Sequence, residues 1–244
     1  MGTPQNLFEP VKNRRIFEEV SSRIKELIFD GALKVGDKLP SETQLAQQFG
    51  VGRQTIREAL RLLESSGFID VNRRGSAGPV IKDTILKKVS ALFLDSFRMK
   101  KIDLAQLTLA RLEIEKNVLR YVCENITESE IRQLRKNIAQ SRQKLAKEII
   151  PTEENIVFHK LLAAASKNQV FVIVVESLMA IVADSLTRIG PDLKTSHNVV
   201  AYHDRILQAI VDRDLEKAAD LLESHLLEVK SRLQPLESAE DPVA

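Results

Sequence analysis

Three of the four histidines of this 244-residue chain stand at spacings that could bring them together. Asn155 and His159 are four residues apart, so on one helix their side chains share a face. His203 and His225 lie on either side of Asp214, each 11 positions from it. If Asp214 opens the last helix after a tight turn, the two helices beside it run antiparallel. Positions equidistant from the turn then lie at the same height. Where their rotational phases also agree, His203 and His225 face each other, and the helix of His159 can bring a third imidazole between them. Three imidazoles converging inside a bundle suit a divalent transition metal with coordination positions left open. The plainer alternative is three hydrogen-bonded core histidines, and spacing on separate helices leaves both readings open. The fourth, His197, sits between Ser196 and Asn198 near a helix start and reads as a surface residue.

Arg111 opens the run R-L-E-I-E amid Leu107, Leu109, Leu112 and Ile114. Its guanidinium offers a planar pair of donors matching a carboxylate. A salt bridge to Glu115, four residues on, is equally available.

A different chemistry gathers between Ser41 and Gly67. Ser41 followed by Gln44 is a capping box that starts a short helix. Gly50-Val51-Gly52 breaks it. A second helix carries Ile56, Ala59, Leu60 and Leu63 on one face and stops at Gly67. Arg53, Gln54, Thr55 and Arg57 cluster at the start of that second helix, which is how a helix-turn-helix meets a major groove. In the alternative, Arg53 and Arg57 pair with Glu58 or Glu64 and the segment binds protein.

The charge distribution agrees with the first reading. Residues 1–82 carry 13 Lys/Arg against 10 Asp/Glu, whereas residues 83–244 carry 23 against 24. The local cluster of Arg53, Arg57, Arg61, Arg73 and Arg74 bears on phosphate binding more than the net charge of +2.

These groups need a scaffold. Residues 1–12 read as a mobile arm, followed by a helix from about Arg14 to Asp30. Beyond Gly67, 68–72 reads as a strand, the basic run 73–78 as a turn and 79–81 as a returning strand, together forming a wing. From Thr84 on the pattern is helical throughout, at about 84–98, 103–125, 128–148, 153–165, 169–188, 195–212 and 215–233. Asp103, Thr127, Thr152 and Asp214 are expected as N-caps. The fold class is therefore mostly α: an N-terminal winged helix-turn-helix over 1–82, a C-terminal all-α antiparallel helical bundle over 83–236 and a frayed tail over 237–244.

The lone Cys123 excludes an internal disulfide. No signal peptide is legible. No apolar run reads as long enough to span a bilayer, with Lys87, Lys88, Arg98 and Lys100 interrupting the most apolar early helix. A cytoplasmic protein without a membrane partner is expected.

The order of a helix, then G-x-L-x-x-G-x-x-L-P-S-E, then L-A-x-x-F-G-V-x-R-x-T-I-R-E-A-L-x-x-L-E-x-x-G-x-I and a basic wing resembles the GntR family of bacterial transcription factors over nearly all of residues 14–82. The resemblance implies that Arg53, Gln54, Thr55 and Arg57 contact bases and phosphates of operator DNA. It adds Thr43, where the family often has arginine, and Arg73, Arg74 and Gly75 on the wing. Gly52 replaces the hydroxyl residue usual before the first recognition arginine; both departures bear on which operator is read.

Further on, N-I-V-F-H-K-L-L-A-A-A-S-K-N and Y-H-D-R-I-L-Q-A-I-V-D-R-D-L-E-K-A-A-x-L-L-x-x-H resemble the ligand-binding FCD domain of the FadR-like branch. In many members an Asp and three His hold a metal at the floor of a cavity receiving small carboxylates. The resemblance assigns those roles to Asn155, His159, His203 and His225, with zinc, nickel or manganese as the metal. It makes Arg111 a carboxylate-binding residue. It also implies a homodimer on a pseudo-palindrome, most often a repressor, released or tightened by a small organic acid. A three-histidine centre can activate water for hydrolysis, but no general base is evident beside it and the DNA head would be unexplained. A non-enzyme is expected. The remaining alternative is a metal-free regulator with a different effector.

Overall fold

The regular structure of the described residues, 16–70, 78–190 and 192–234 of a computed structural model, consists of ten helices and one short hairpin. The expected arm over 1–12, the wing residues Arg73, Arg74 and Gly75, and the tail over 237–244 lie outside the described residues. The chain forms two compact units, Met1–Lys88 and Val89–Ala244.

In the first unit α1 (Ile16–Phe29) packs on α3 (Arg53–Ser65), and α2 (Glu42–Phe49) leads into α3 through a tight turn. Ser41 caps α2 in both directions: its Oγ accepts from the Gln44 amide, while Gln44 Oε1 accepts from the Ser41 amide at 2.9 Å. Gly50 ends α2 in the left-handed region, φ 65°, where a side chain would be strained. Apolar residues at helical spacing bury Ile24, Leu45, Ile56, Leu60 and Leu63. Ile56 and Leu63 are fully buried, each contributing about 1.5–3 kcal/mol relative to exposure. The strands β1 (Ile69–Asp70) and β2 (Val80–Ile81) pair antiparallel, Ile69 opposite Ile81 and Asp70 opposite Val80.

Gly67 joins α3 to this hairpin. The Gly67 amide donates to Glu64 O at 3.1 Å and that of Phe68 to Leu63 O at 3.0 Å, the paired bonds of a Schellman end. At φ +88°, a Cβ on Gly67 would stand 2.9 Å from the Ile85 amide nitrogen. Gly67→Ala combines left-handed strain with a backbone collision, so it should destabilise the first unit by about 1–3 kcal/mol. Denaturant melts of the variant read this directly, and unchanged stability would contradict the strained turn.

The second unit is built from α5 (Leu104–Asn125), α6 (Glu128–Leu145), α7 (Thr152–Ala165), α8 (Gln169–Ile189), α9 (Leu193–Val211) and α10 (Leu215–Leu233), with α4 (Ile85–Arg98) leading in. Consecutive helices pack together in the pairs α6–α7, α7–α8 and α9–α10, and α5 packs on α10, α7 and α8. Asp103 with Gln106 and Thr127 with Glu130 form capping boxes, and Asp214 caps α10.

Three expectations need correction. Thr152 is not an N-cap: Pro151 takes that position without a side-chain bond, and Thr152 is the first helical residue. The missing proline N–H costs nothing at a helix start, where it would have no intrahelical acceptor. Next, α9 begins at Leu193 rather than near 195, because Asp192 accepts from the Thr195 amide at 3.2 Å and caps it. Finally, one helix among the described residues is long and apolar enough to cross a membrane by length and composition. This stretch, Gln169–Arg188 of α8, has a mean hydropathy of 2.0. Its Val175, Leu178, Met179, Ile181 and Val182 are buried in the bundle core, so the run serves internal packing on one face of the helix.

Candidate functional site

Helices α5, α7, α9 and α10 bring the candidate ligands together. His159 on α7, His203 on α9 and His225 on α10 are all buried, each no more than 4% exposed. One ring nitrogen from each lies within 4.8 Å of the other two. The height argument from Asp214 holds: the rings of His203 and His225 have centroids 4.9 Å apart, and that of His159 lies 5.2 Å from both. Phe158 stacks on His203 at 3.9 Å and fixes its plane.

Glu115 on α5 completes the cluster. Its Oε2 lies 2.5 Å from His159 Nδ1, and its Oε1 accepts from Arg111 Nε at 3.0 Å. Burial pushes the Glu115 carboxyl up, but the His159 and Arg111 charges and their hydrogen bonds outweigh it and hold the group down at about 2. Glu115 Oε2 accepts a hydrogen bond from His159 Nδ1–H, which turns the other ring nitrogen, Nε2, toward His225, 3.1 Å from its Nε2. Burial, then the charges of neighbouring groups, push His203 and His225 well below the ordinary histidine value, so both remain neutral.

Do these residues fit a metal? His203 Nε2, His225 Nδ1 and Asn155 Oδ1 are buried without a hydrogen-bond partner. Such atoms cost free energy and call for an explanation, an ion among them. Two nitrogens bound to one ion at about 2.0–2.1 Å stand roughly 3 Å apart, close to the spacing of the His159 and His225 Nε2 atoms. Imidazoles with one ring nitrogen held by a carboxylate are a donor set that zinc or nickel takes, and manganese leans more on oxygen donors such as Asn155 Oδ1. The residues fit. Asn155 lines the same cavity with its amide. That cavity is narrow, about 30 Å³, and Arg111 forms part of its wall. Arg111 is thus bonded to Glu115 and also lines the cavity.

The DNA-reading candidates fall elsewhere. Arg53, Gln54 and Arg57 are exposed on the first two turns of α3, Thr55 is half-buried there, and Thr43 is exposed on α2. Arg57 Nε donates to Glu42 Oε2 on α2 at 2.7 Å. Gln54 Nε2 donates to Glu58 Oε1 at 2.8 Å. Arg53 has no such partner among the described residues. Gly52 gives α3 no side-chain cap, so the first-turn amides keep the open donors that favour a phosphate.

Residues 16–78 match the bacterial regulatory proteins of the gntR family, and residues 106–228, half of the chain, match the FCD domain. The chain is a GntR-family regulator with an FCD domain. Relatives include the HTH-type transcriptional repressor NanR of Klebsiella aerogenes, 29% identical over 93% of this chain and 88% of that protein. NanR of Cronobacter sakazakii is 28% identical over the same shares. Among solved structures, a Streptococcus agalactiae GntR protein superposes with a TM-score of 0.69 at 24% identity, covering 88% of this chain and 99% of that one. This last likeness speaks for the fold alone. GntR proteins of this kind are regulators, so the three-histidine cluster belongs to no hydrolase.

Two residues of the FCD unit escaped the sequence reading as site residues. Glu115 appeared there only as a partner for Arg111, although its place one turn along α5 puts it on the same face. Arg232 also lines the cavity; it follows His225 by seven residues, a spacing that returns to the same helix face.

Proposed function

We propose that this GntR-family regulator is a cytoplasmic, ligand-responsive repressor that binds a pseudo-palindromic operator as a homodimer. Its FCD unit holds a divalent transition metal on His159, His203 and His225, with Asn155 as a weaker fourth ligand, and takes a small carboxylate beside it. The observation that carries this reading is the buried cluster of three imidazoles with ring nitrogens within 4.8 Å of one another. The metal would supply an open coordination position for a carboxylate oxygen, and Arg111 would add charged donors from the cavity wall. The NanR relatives, named as repressors, support the direction of regulation. For the division of the chain, we take 1–82 as the DNA-reading domain and 83–236 as the effector domain.

In the DNA-reading head, Arg53, Gln54, Thr55 and Arg57 on α3, with Thr43 on α2, face the groove, and Arg73, Arg74 and Gly75 of the wing approach the backbone. Two copies related by a two-fold axis require an inverted repeat. The effector acts by binding one arrangement of the two heads better than another, and its differential affinity sets the size of the response.

DNA selected by the full-length protein from a randomised duplex pool tests this reading. An inverted repeat with fixed half-site spacing is expected, bound by two chains per duplex. Selection of a single half-site bound by one chain would overturn the dimeric reading.

A further inference from the structure

The cavity beside the three histidines has a second cationic wall. Arg232 lies two helical turns beyond His225 on α10, about 10 Å along the helix axis. Its side chain is 13% exposed. Arg232 Nη2 donates to the Gly190 carbonyl at 2.8 Å, which holds the guanidinium in place. Its Nε is buried and has no hydrogen-bond partner. The nearest carboxylate oxygen, Asp192 Oδ2, lies 3.8 Å away, beyond hydrogen-bond range. Asp192 is committed to capping α9, accepting from the Thr195 amide and the Thr195 hydroxyl.

Arg232 is thus a largely buried cation with an unused donor, anchored by a backbone carbonyl instead of a tight ion pair. The same cavity is lined by Thr152, Thr195 and Ser196, whereas Arg111 reaches it from α5. Two guanidinium groups on two helices face one narrow space that also holds the three imidazoles. A ligand with a single carboxylate can satisfy the histidines and Arg111, but it leaves Arg232 Nε without an acceptor.

We propose that Arg232 is a second anion anchor and that the effector is a short diacid, with one acidic group beside the histidines and Arg111 and the other on Arg232. This rests on the carboxylate reading above and extends it. A second carboxylate gives Arg232 charged hydrogen bonds of forked geometry, and a methyl group in that place leaves a desolvated donor unpaired. The site therefore discriminates by what the far end of the ligand carries.

Calorimetric titration of the unchelated full-length protein with matched pairs tests it: propionate and malonate, butyrate and succinate, valerate and glutarate. At least one diacid should bind about tenfold or more tightly than its monoacid, because a site built to bond a group rejects the analogue lacking it. Arg232→Gln should narrow that ratio to within about twofold. Arg232→Lys should fall between, keeping the charge but losing the fork. Any drain of metal by the diacids in solution is the same for all three proteins, so the ratio isolates Arg232. If Arg232→Gln does not fold, the wild-type ratio and Arg232→Lys still decide. Equal binding of mono- and diacids, or a diacid advantage that survives in the variants, overturns the second anchor and leaves the carboxylate reading standing. Binding of none of the six acids overturns both.

Discussion

Replacing His159 with alanine should strip the protein of its metal. Elemental analysis of wild-type protein purified without chelators is expected to give about one zinc, nickel or manganese ion per chain, as a three-imidazole site holds. His159 is the ligand whose orientation is most firmly fixed, since Glu115 holds its Nδ1 and directs its Nε2 at His225. Losing it should lower affinity by well over the 10- to 100-fold typical of disturbing a supporting residue. The substitution also leaves Glu115 with Arg111 alone, and breaking a buried charged network can cost about 3–5 kcal/mol. His225→Ala is therefore the companion variant: its Nδ1 has no partner to abandon, and it should lose metal with a smaller loss of stability. Chelation of the wild type should lower Tm, because an ion at 100 times its Kd contributes about 2.7 kcal/mol to the folded state. Asn155→Asp should raise metal affinity, read as slower loss of the ion to a competing chelator, since a carboxylate binds a hard cation better than the neutral amide. Metal-free wild-type protein after incubation with all three ions would remove the metal from the reading and leave the fold and family untouched.

Much of this arrangement was legible because it follows from short-range rules. The capping boxes at Ser41, Asp103 and Thr127 and the cap at Asp214 are local chemistry, and all four start helices as their spacing requires. The meeting of His203 and His225 follows from one turn and a count of residues on either side. What escaped depended on neighbours distant in the chain. Arg57 had two glutamates on its own helix to choose between, yet it bonds Glu42 on α2, a partner set by how two helices cross. Glu115 read only as a salt-bridge partner for Arg111 until α7 laid His159 against it. Thr152 lost its expected cap because Pro151 already occupies that position. For α8, hydropathy alone cannot separate a core helix from a membrane-length one; the packing of Val175, Met179 and Val182 decides its role in this bundle.

Arg57→Ala should abolish specific operator binding while leaving the helical unit intact. Arg57 stands on the second turn of α3, where a recognition helix meets base edges, and its side chain is 47% exposed. Its bond to Glu42 is a surface ion pair, worth about 0–1 kcal/mol, so it holds the guanidinium in a defined position without opposing transfer to DNA. An arginine contact to a guanine edge contributes about 1–3 kcal/mol of discrimination. A dimer loses that contact twice, so affinity should fall on the order of 10²–10⁴-fold in a gel-shift titration on the selected operator. Glu42→Ala separates reading from positioning. It frees Arg57 and removes a negative charge near the phosphates, so overall DNA affinity should rise slightly while preference for the operator falls. Circular dichroism and metal content should be unchanged in both variants, because the substitutions lie in the first unit and the histidines in the second. Salt dependence then identifies what Arg57 touches. A loss that is uniform across sequences, with the log–log salt slope reduced by about 2 for the two copies, marks a phosphate contact; a loss confined to one position of each half-site marks a base. Undiminished binding by Arg57→Ala would remove α3 as the recognition helix.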